Sequence, residues 1–248
     1  EKYNIKIELA NLIQIASLIQ PRYYTIASSS LKYPNSIHLC FAMHIDTLSD
    51  GSKKFGLASD FFVRLFKSYS RTQTLPKIRV AVKDSTFILP VDRNIPIYMV
   101  GPGAGIAPFK GFAEEKEFIH GSGKENQFGA LTLYFGCKGR NWDYLYKTEL
   151  LKYHEDKILD NYHVAFSREQ EQKVYVQDLI EKHKNIIIKD AFEGGAVFYI
   201  CGAMEMGKAV IKKLTECAAA HYQIDINLAA MKIQDMEKKK KIIKELWG

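Results

Sequence analysis

The chain has 248 residues, 47% hydrophobic and 12% aromatic, and a formal net charge of +7. That length holds one large domain or two modest ones with real cores, and the basic balance favours an acidic partner or a polyanionic ligand. No apolar run approaches the ~20 residues of a membrane span. Cys40, Cys137, Cys201 and Cys217 lie far apart with no C-x-x-C pair, so neither a metal site nor a disulfide framework is suggested, and a reducing compartment is the natural reading.

The chain opens at Glu1 on "IELANLIQIASLIQ", a helix-like apolar pattern that reads as a piece of something longer, with any anchor or address upstream. "PRYYTIASSS" follows, Pro21 to Ser30, and sets one cation, two flat rings and a row of hydroxyls within ten residues. In "SIHLCFAMHID" Ile37, Leu39, Phe41, Met43 and Ile45 alternate with smaller or more polar residues, which predicts a strand with one buried face. "KIRVAVKDSTFIL" alternates similarly through Ile78, Val80 and Val82. Between them, Leu57, Phe61 and Leu65 repeat at four-residue spacing, the mark of a short amphipathic helix. Its start, Gly56 to Ser59, offers either an anion site or a plain cap.

Beyond Asp92–Asn94 the pattern changes. The runs "IPIYMV", "LTLYFG", "YHVAF" and "AVFYICG" are nearly continuous in apolar residues and alternate with helical stretches such as "FKGFAEEKEFIHG" and "KVYVQDLIEKHK". That arrangement predicts a parallel sheet covered on both faces. The fold class is therefore α/β, with an antiparallel β unit followed by a parallel nucleotide-binding unit. The charge run "EKKKK" at 237–241 reads as a solvated helix face, with nucleic acid the lesser alternative.

Three stretches carry chemistry. "VGPGAGIAPFKGF" puts glycines at 101, 103 and 105 between a strand and a helix, either a pyrophosphate cradle or a tight structural turn. The spacing is not G-x-G-x-x-G. "AFSREQEQKVYVQ" places Ser167 and Arg168 just past a strand, with Lys173 and Tyr175 expected one or two helical turns on. Together they suit a dianionic phosphate, or an ordinary solvated helix start. Cys201 ends another strand, as a packed small hydrophobe or as a polarisable neighbour of a reacting carbon. At "KELWG", Trp247 reads as an aromatic lid or as part of a docked terminal helix.

Taken in order, "PRYYTIASSS", "VGPGAGIAPFKGF", "LYFGCKGRNWDYLYKTEL", "NYHVAFSREQEQKVYVQ" and "EGGAVFYICG", with a terminal aromatic, resemble the C-terminal reductase half of the diflavin reductases. The likeness is strongest to the NADPH–cytochrome P-450 reductase branch; nitric oxide synthase reductase domains and sulfite reductase flavoproteins are more distant. The resemblance implies that residues 1–19 end a connecting segment, 20–93 are an incomplete FAD-binding β-barrel portion, and 94–248 are a ferredoxin-NADP reductase-like NADPH-binding domain. It implies FAD contacts from Arg22, Tyr23, Tyr24, Thr25, Cys40, Phe41, Ala42, Asp46, Gly56, Leu57, Ala58, Ser59 and Trp247. It implies NADPH contacts from Gly103, Ala104, Ser167, Arg168, Lys173, Val174, Tyr175, Val176 and Gln177. Thr25, Cys201, Glu245 and Trp247 would stand beside the reacting rings.

The implied activity is hydride transfer from NADPH to FAD, then electron transfer through FMN on an acidic upstream domain to a haemoprotein such as cytochrome P-450. The implied address is the cytoplasmic face of the endoplasmic reticulum, through an anchor outside this sequence, with no nucleic acid partner. Ala104 stands where the family usually has Thr, Lys138 where it has Arg, Ala203 where it has an acid, and Ala209 where Asp is common. The segment from Cys201 to Lys208 is one residue short of the family pattern. These changes weaken the nicotinamide side and spare the 2′-phosphate residues. Alternatives are the reductase module of another diflavin or fusion enzyme (sulfite reductase-like, nitric oxide synthase-like or pyruvate:NADP oxidoreductase-like) and a non-catalytic dinucleotide-binding subunit.

Overall fold

The computed structural model describes residues 6–16, 18–123 and 128–248. Its first part holds α1 (Leu9–Ile15), the hairpin strands β1 (Ile45–Thr47) and β2 (Lys53–Phe55), and α2 (Leu57–Thr72). Helix α1 is shorter than the pattern "IELANLIQIASLIQ" predicts and buries none of its residues; Ser17 and residues 1–5 lie outside the described residues.

The first third is less regular than its alternation predicts. Strands β1 and β2 pair antiparallel, Ile45 opposite Phe55, and one isolated bridge joins Ile26 to Leu39. Residues 77–83 form no strand, and Val80 and Val82 are exposed. A strand exists only through ladder partners, and the described residues supply none to this segment. Helix α2 forms as predicted, but its inward side is Ser59 and Phe62. Leu57 and Phe61 of the periodic set are exposed.

The second part is regular: β3 (Ile97–Val100), a 3₁₀ turn (Gly103–Ile106), α3 (Ala107–Gly121), β4 (Leu131–Cys137), α4 (Lys147–Glu155), β5 (Asn161–Phe166), α5 (Val176–Lys182) and α6 (Lys184–Phe192). It closes with β6 (Val197–Ala203), α7 (Met204–Tyr222), α8 (Ile226–Lys238) and β7 (Ile242–Trp247). The sheet order is β5-β4-β3-β6-β7, all parallel. The apolar runs make its first four strands because both faces are covered. One face carries Met99, Leu133, Phe135, Tyr199 and Cys201, packed with Phe109 and Phe112 of α3. The other carries Tyr98, Val100, Phe198 and Ile200, packed against α5, α7 and α8. Each large side chain buried this way contributes about 1.5–3 kcal/mol.

The fifth strand corrects the sequence reading, which held "KELWG" as a lid or a helix. Alternation of Ile242, Lys244 and Leu246 against Ile243, Glu245 and Trp247 suits an edge strand, and β6 supplies its ladder. The lysine run at 237–241 is solvated at Lys238, Lys239 and Lys240, as expected, but only its start is helical. Helix α8 ends at Lys238, and Lys241 turns back so that Nζ donates to the Gly195 carbonyl at 2.9 Å.

Polar contacts dock the first part onto α3. Glu114 is 1% exposed; one carboxylate oxygen pairs with buried Lys110, and the other accepts the Ser29 N–H at 3.0 Å. The Lys110 ammonium lies 5.2 Å from the ring centre of Tyr146. At the surface Lys32 pairs with Glu117 at 2.5 Å. Apolar support comes from Phe87, edge-on to Tyr199 at 5.0 Å, while the Tyr199 hydroxyl donates to the Ile88 carbonyl.

Removing Glu114 would leave a buried ammonium without a partner and the Ser29 N–H without an acceptor. We expect Glu114→Ala to cost about 3–5 kcal/mol, and the double variant Lys110→Met/Glu114→Gln, which removes the charge and keeps an acceptor, to cost clearly less. Urea denaturation of the variants measures both; equal losses would show that the buried charge is not what matters.

Candidate functional site

Strand order reverses between β3 and β6, and crevices at such switch points, beyond the carboxyl ends of the strands, are where open α/β sheets bind ligands. The glycine-rich turn after β3 lies there, but its glycines divide the work. A Cβ on Gly105 would sit 2.1 Å from the Cys201 carbonyl oxygen, and one on Gly101 would sit 2.5 Å from both the Gly105 oxygen and the Phe109 ring. Both permit backbone to meet protein, which is the tight-turn alternative for these two positions. Gly103 alone has φ +55° with nothing near its missing Cβ, so it is the position open to a ligand.

Gly103 lines a groove of about 270 Å³ across the carboxyl ends of β3, β4 and β5. One wall is Gly136, Cys137, Lys138 and Asp143; the other is Ser167 with Val174, Tyr175, Val176 and Gln177. Of the residues read for NADPH, these are the ones the fold brings together. Ala104 is half-buried in the turn. Arg168 and Lys173 are exposed at the rim and make no ion pair among the described residues. Lys173 and Tyr175 are not within a helix, as had been expected. Tyr175 caps α5, its N–H donating to Asp178 Oδ2 at 2.7 Å. That cap aims the α5 N-terminus at the groove. The Ser167 hydroxyl donates to the Cys137 carbonyl at 3.3 Å.

A second cluster stands where β6 and β7 end. Cys201 and Glu245 are register partners on adjacent strands, and Trp247 follows Glu245 on the same face. Thr25, from the first part, donates its hydroxyl to Glu245 Oε1 at 2.5 Å. Thr25, Cys201, Glu245 and Trp247 therefore share one face. Cys201 is fully buried, and burial together with the Glu245 carboxylate raises its pKa far above the usual thiol range, so it stays a neutral S–H. Trp247 is 44% exposed.

The remaining residues read for FAD are split. Tyr24 is half-buried, edge-on to Phe41 at 5.5 Å and to Phe62 at 6.0 Å. Arg22 is exposed and donates to the Gln20 carbonyl; Tyr23 is exposed under the Lys83 ammonium, 5.0 Å from its ring centre. The half-buried Cys40 thiol is raised in pKa by burial against a lowering hydrogen bond from Tyr146, and Ala42 is exposed. Asp46 pairs with His44 at 3.3 Å. At the α2 start, Gly56 donates to the His44 carbonyl at 2.9 Å, and the Ser59 hydroxyl accepts the His44 N–H at 2.8 Å. Ser59 thus ties the helix to the preceding segment, while the N–H groups of Leu57 and Ala58 remain at the open first turn.

Sequence reasoning missed Pro102, Gly136, Cys137, Asp143 and Met206 in the groove and Phe62 beside Tyr24. Asp143 lay within a quoted motif, where its spacing from Lys138 was the available signal. Its Oδ1 accepts the Lys138 N–H at 2.7 Å and shapes that wall. The Cys137 thiol is pushed up to about 11 by burial and then by Asp143 and Glu169.

The residues present suit both groups the resemblance implies. Unpaired rim cations, a capped helix start and a glycine without a Cβ suit a phosphorylated dinucleotide, and a half-buried tyrosine in an aromatic corner suits a flat ring. Residues 2–61 match the family described as "FAD binding domain", and residues 99–212 match "Oxidoreductase NAD-binding domain". The fold and these matches define a chain that joins an FAD-binding segment to an oxidoreductase-type NAD-binding domain. The chain is 35% identical over 239 residues to NADPH–cytochrome P450 reductase of Mus musculus, covering 96% of this chain and 35% of that protein. The Bos taurus enzyme is 42% identical over 193 residues, covering 77% of this chain and 28% of that protein, and that of Musca domestica is 34% identical over 239. The chain is similar to these reductases over 77–96% of its own length and spans about a third of theirs. Among the described residues no helix is long and apolar enough to cross a membrane.

The division among the glycines is testable. Gly105→Ala should destabilise the fold by several kcal/mol, since backbone must move to admit the methyl. Gly103→Ala should cost only about 1–2 kcal/mol of left-handed strain while weakening coenzyme binding. Thermal melts paired with NADP⁺ titration check this; equal destabilisation by the two would show that Gly103 too is structural.

Proposed function

We propose that this chain is the module of a diflavin reductase that takes hydride from NADPH and, through FMN on an upstream acidic domain, supplies electrons to a haemoprotein such as cytochrome P-450. The observation that carries it is the Thr25–Glu245 hydrogen bond, 2.5 Å long, which joins the FAD-binding segment to the end of the parallel sheet beside the dinucleotide groove. The named relatives support NADPH as donor. The division into 1–19, 20–93 and 94–248 belongs to the same reading, as does an address at the endoplasmic reticulum through an upstream anchor.

In this reading Arg168 and Lys173 grip the 2′-phosphate with Ser167 and Tyr175, while Gly103 leaves room for the pyrophosphate to pass. Arg22, Tyr24 and the α2 start hold FAD, which when bound accepts hydride at N5 and passes electrons on singly. Glu245, held by the Thr25 hydroxyl, places a carboxylate where positive charge grows on the nicotinamide. Cys201, beside it on β6, offers a neutral, polarisable wall that adds no competing charge. Trp247, exposed at the end of an edge strand, covers a flat ring and moves aside for the nicotinamide, excluding water between turnovers.

The full-length protein should show an oxidised-flavin spectrum that bleaches on adding NADPH; a colourless protein overturns the reading. Arg168→Ala should weaken NADPH about thirtyfold, the size of a lost charge-assisted hydrogen bond of about 2 kcal/mol, and leave NADH nearly unchanged. Equal losses for the two coenzymes would remove Arg168 from the phosphate site.

A further inference from the structure

At the rim of the groove, Glu169 stands next in sequence to Arg168. A carboxylate there is unfavourable beside a bound dianion, and it competes for the arginine that should hold the phosphate. The fold commits this carboxylate elsewhere. The Arg140 backbone N–H donates to Glu169 Oε1 at 2.5 Å, and the Arg140 side-chain Nε donates to Oε2 at 3.0 Å. The arrangement is built on both sides. Strands β4 and β5 run on past their ends, Ser167 N–H to the Cys137 carbonyl and Arg168 N–H to the Lys138 carbonyl, each at 2.9 Å. That pairing sets residues 138–140 opposite 168–169. Asp143 pins the loop by accepting the N–H groups of Lys138 and Gly139. Gly139 leaves room for the acid, since a Cβ there would lie 3.3 Å from Glu169 Oε1. The Arg140 guanidinium rests 4.6 Å from the ring centre of Phe166. These hydrogen bonds also hold the Glu169 carboxyl below its ordinary pKa, so it is ionised at neutral pH.

We infer that Arg140 is a positioning residue for coenzyme choice: by holding both oxygens of Glu169 it keeps Arg168 free for a 2′-phosphate, and so sets the preference for a 2′-phosphorylated adenine dinucleotide. The inference rests on the reading of Ser167–Arg168 as the phosphate site. Arg140 is assigned to act through Glu169, to which its Nε is bonded while its guanidinium lies over the Phe166 ring; the double variant below separates this from direct contact with the phosphate. Glu171 and Asp178 are the other acids of this segment; Asp178 is engaged by the Tyr175 N–H, and Glu171 is exposed.

The test is calorimetric titration of the full-length protein and its variants with adenosine 2′,5′-bisphosphate and with AMP, which lacks the 2′-phosphate. Arg140→Ala should weaken the bisphosphate about five- to tenfold and change AMP by less than about twofold. Glu169→Gln alone should leave both ligands unchanged or tighten the bisphosphate slightly. The double variant Arg140→Ala/Glu169→Gln should recover to within about twofold of the parent, because the acid that Arg140 restrains is gone. A double variant as weak as Arg140→Ala means that Arg140 itself meets the phosphate, and overturns the inference. Parallel losses for both ligands mean that the pair merely supports the loop, and also overturn it. A parent protein that does not distinguish the bisphosphate from AMP overturns the phosphate site itself, a result visible before any variant is made.

Discussion

A carboxylate buried in the middle of helix α3 decides where the rest of the chain goes. Glu114 sits among apolar side chains, where an unpaired charge is costly. Its requirement for partners is met by Lys110 one turn earlier and by a backbone N–H of Ser29, far away in sequence. Satisfying the charge therefore fixes the end of "PRYYTIASSS" against the parallel domain. Tyr24 and Thr25 lie a few residues before that anchor, so the position of the aromatic corner and of the Thr25 hydroxyl is set from the interior outward.

The two halves of the site are built by different means. The groove is a consequence of topology: parallel strands end together, the loops after them splay, and the capped start of α5 faces the gap. The Thr25–Glu245 cluster is a consequence of docking, since neither part contains it alone. The Gly105–Cys201 backbone contact joins the two constructions by clamping the glycine-rich turn onto the end of β6. A neutral buried thiol is a suitable neighbour for such a joint, because it changes neither charge nor shape over the physiological pH range.

The parallel sheet was the most legible part of the sequence. Runs such as "LTLYFG" and "AVFYICG" can be satisfied only by cover on both faces. The final strand was not legible, because Lys244 and Glu245 break its apolar pattern and an edge strand draws its identity from a neighbour. The alternation of Ile78, Val80 and Val82 misled for the same reason in reverse: the pattern was present and the ladder was not. In the site, the groove residues could be read where a side chain carries charge or a ring. The roles of Gly101 and Gly105 stayed open because a missing Cβ looks the same in sequence whether it makes room for a ligand or for a carbonyl. Phe62 escaped because it lies one residue off the periodic set that was taken to face inward.

The hydrogen bond between Thr25 and Glu245 spans 220 residues. On a ribosome adding about 5–20 residues per second, roughly 10–45 s separate the synthesis of its two ends. During that interval the first segment can dock on α3 and the central strands can pair, but the acid that completes the cluster does not yet exist. Contacts of such long sequence separation form late. A nascent or truncated chain can thus acquire its dinucleotide groove before the Thr25–Glu245 contact that completes the second cluster.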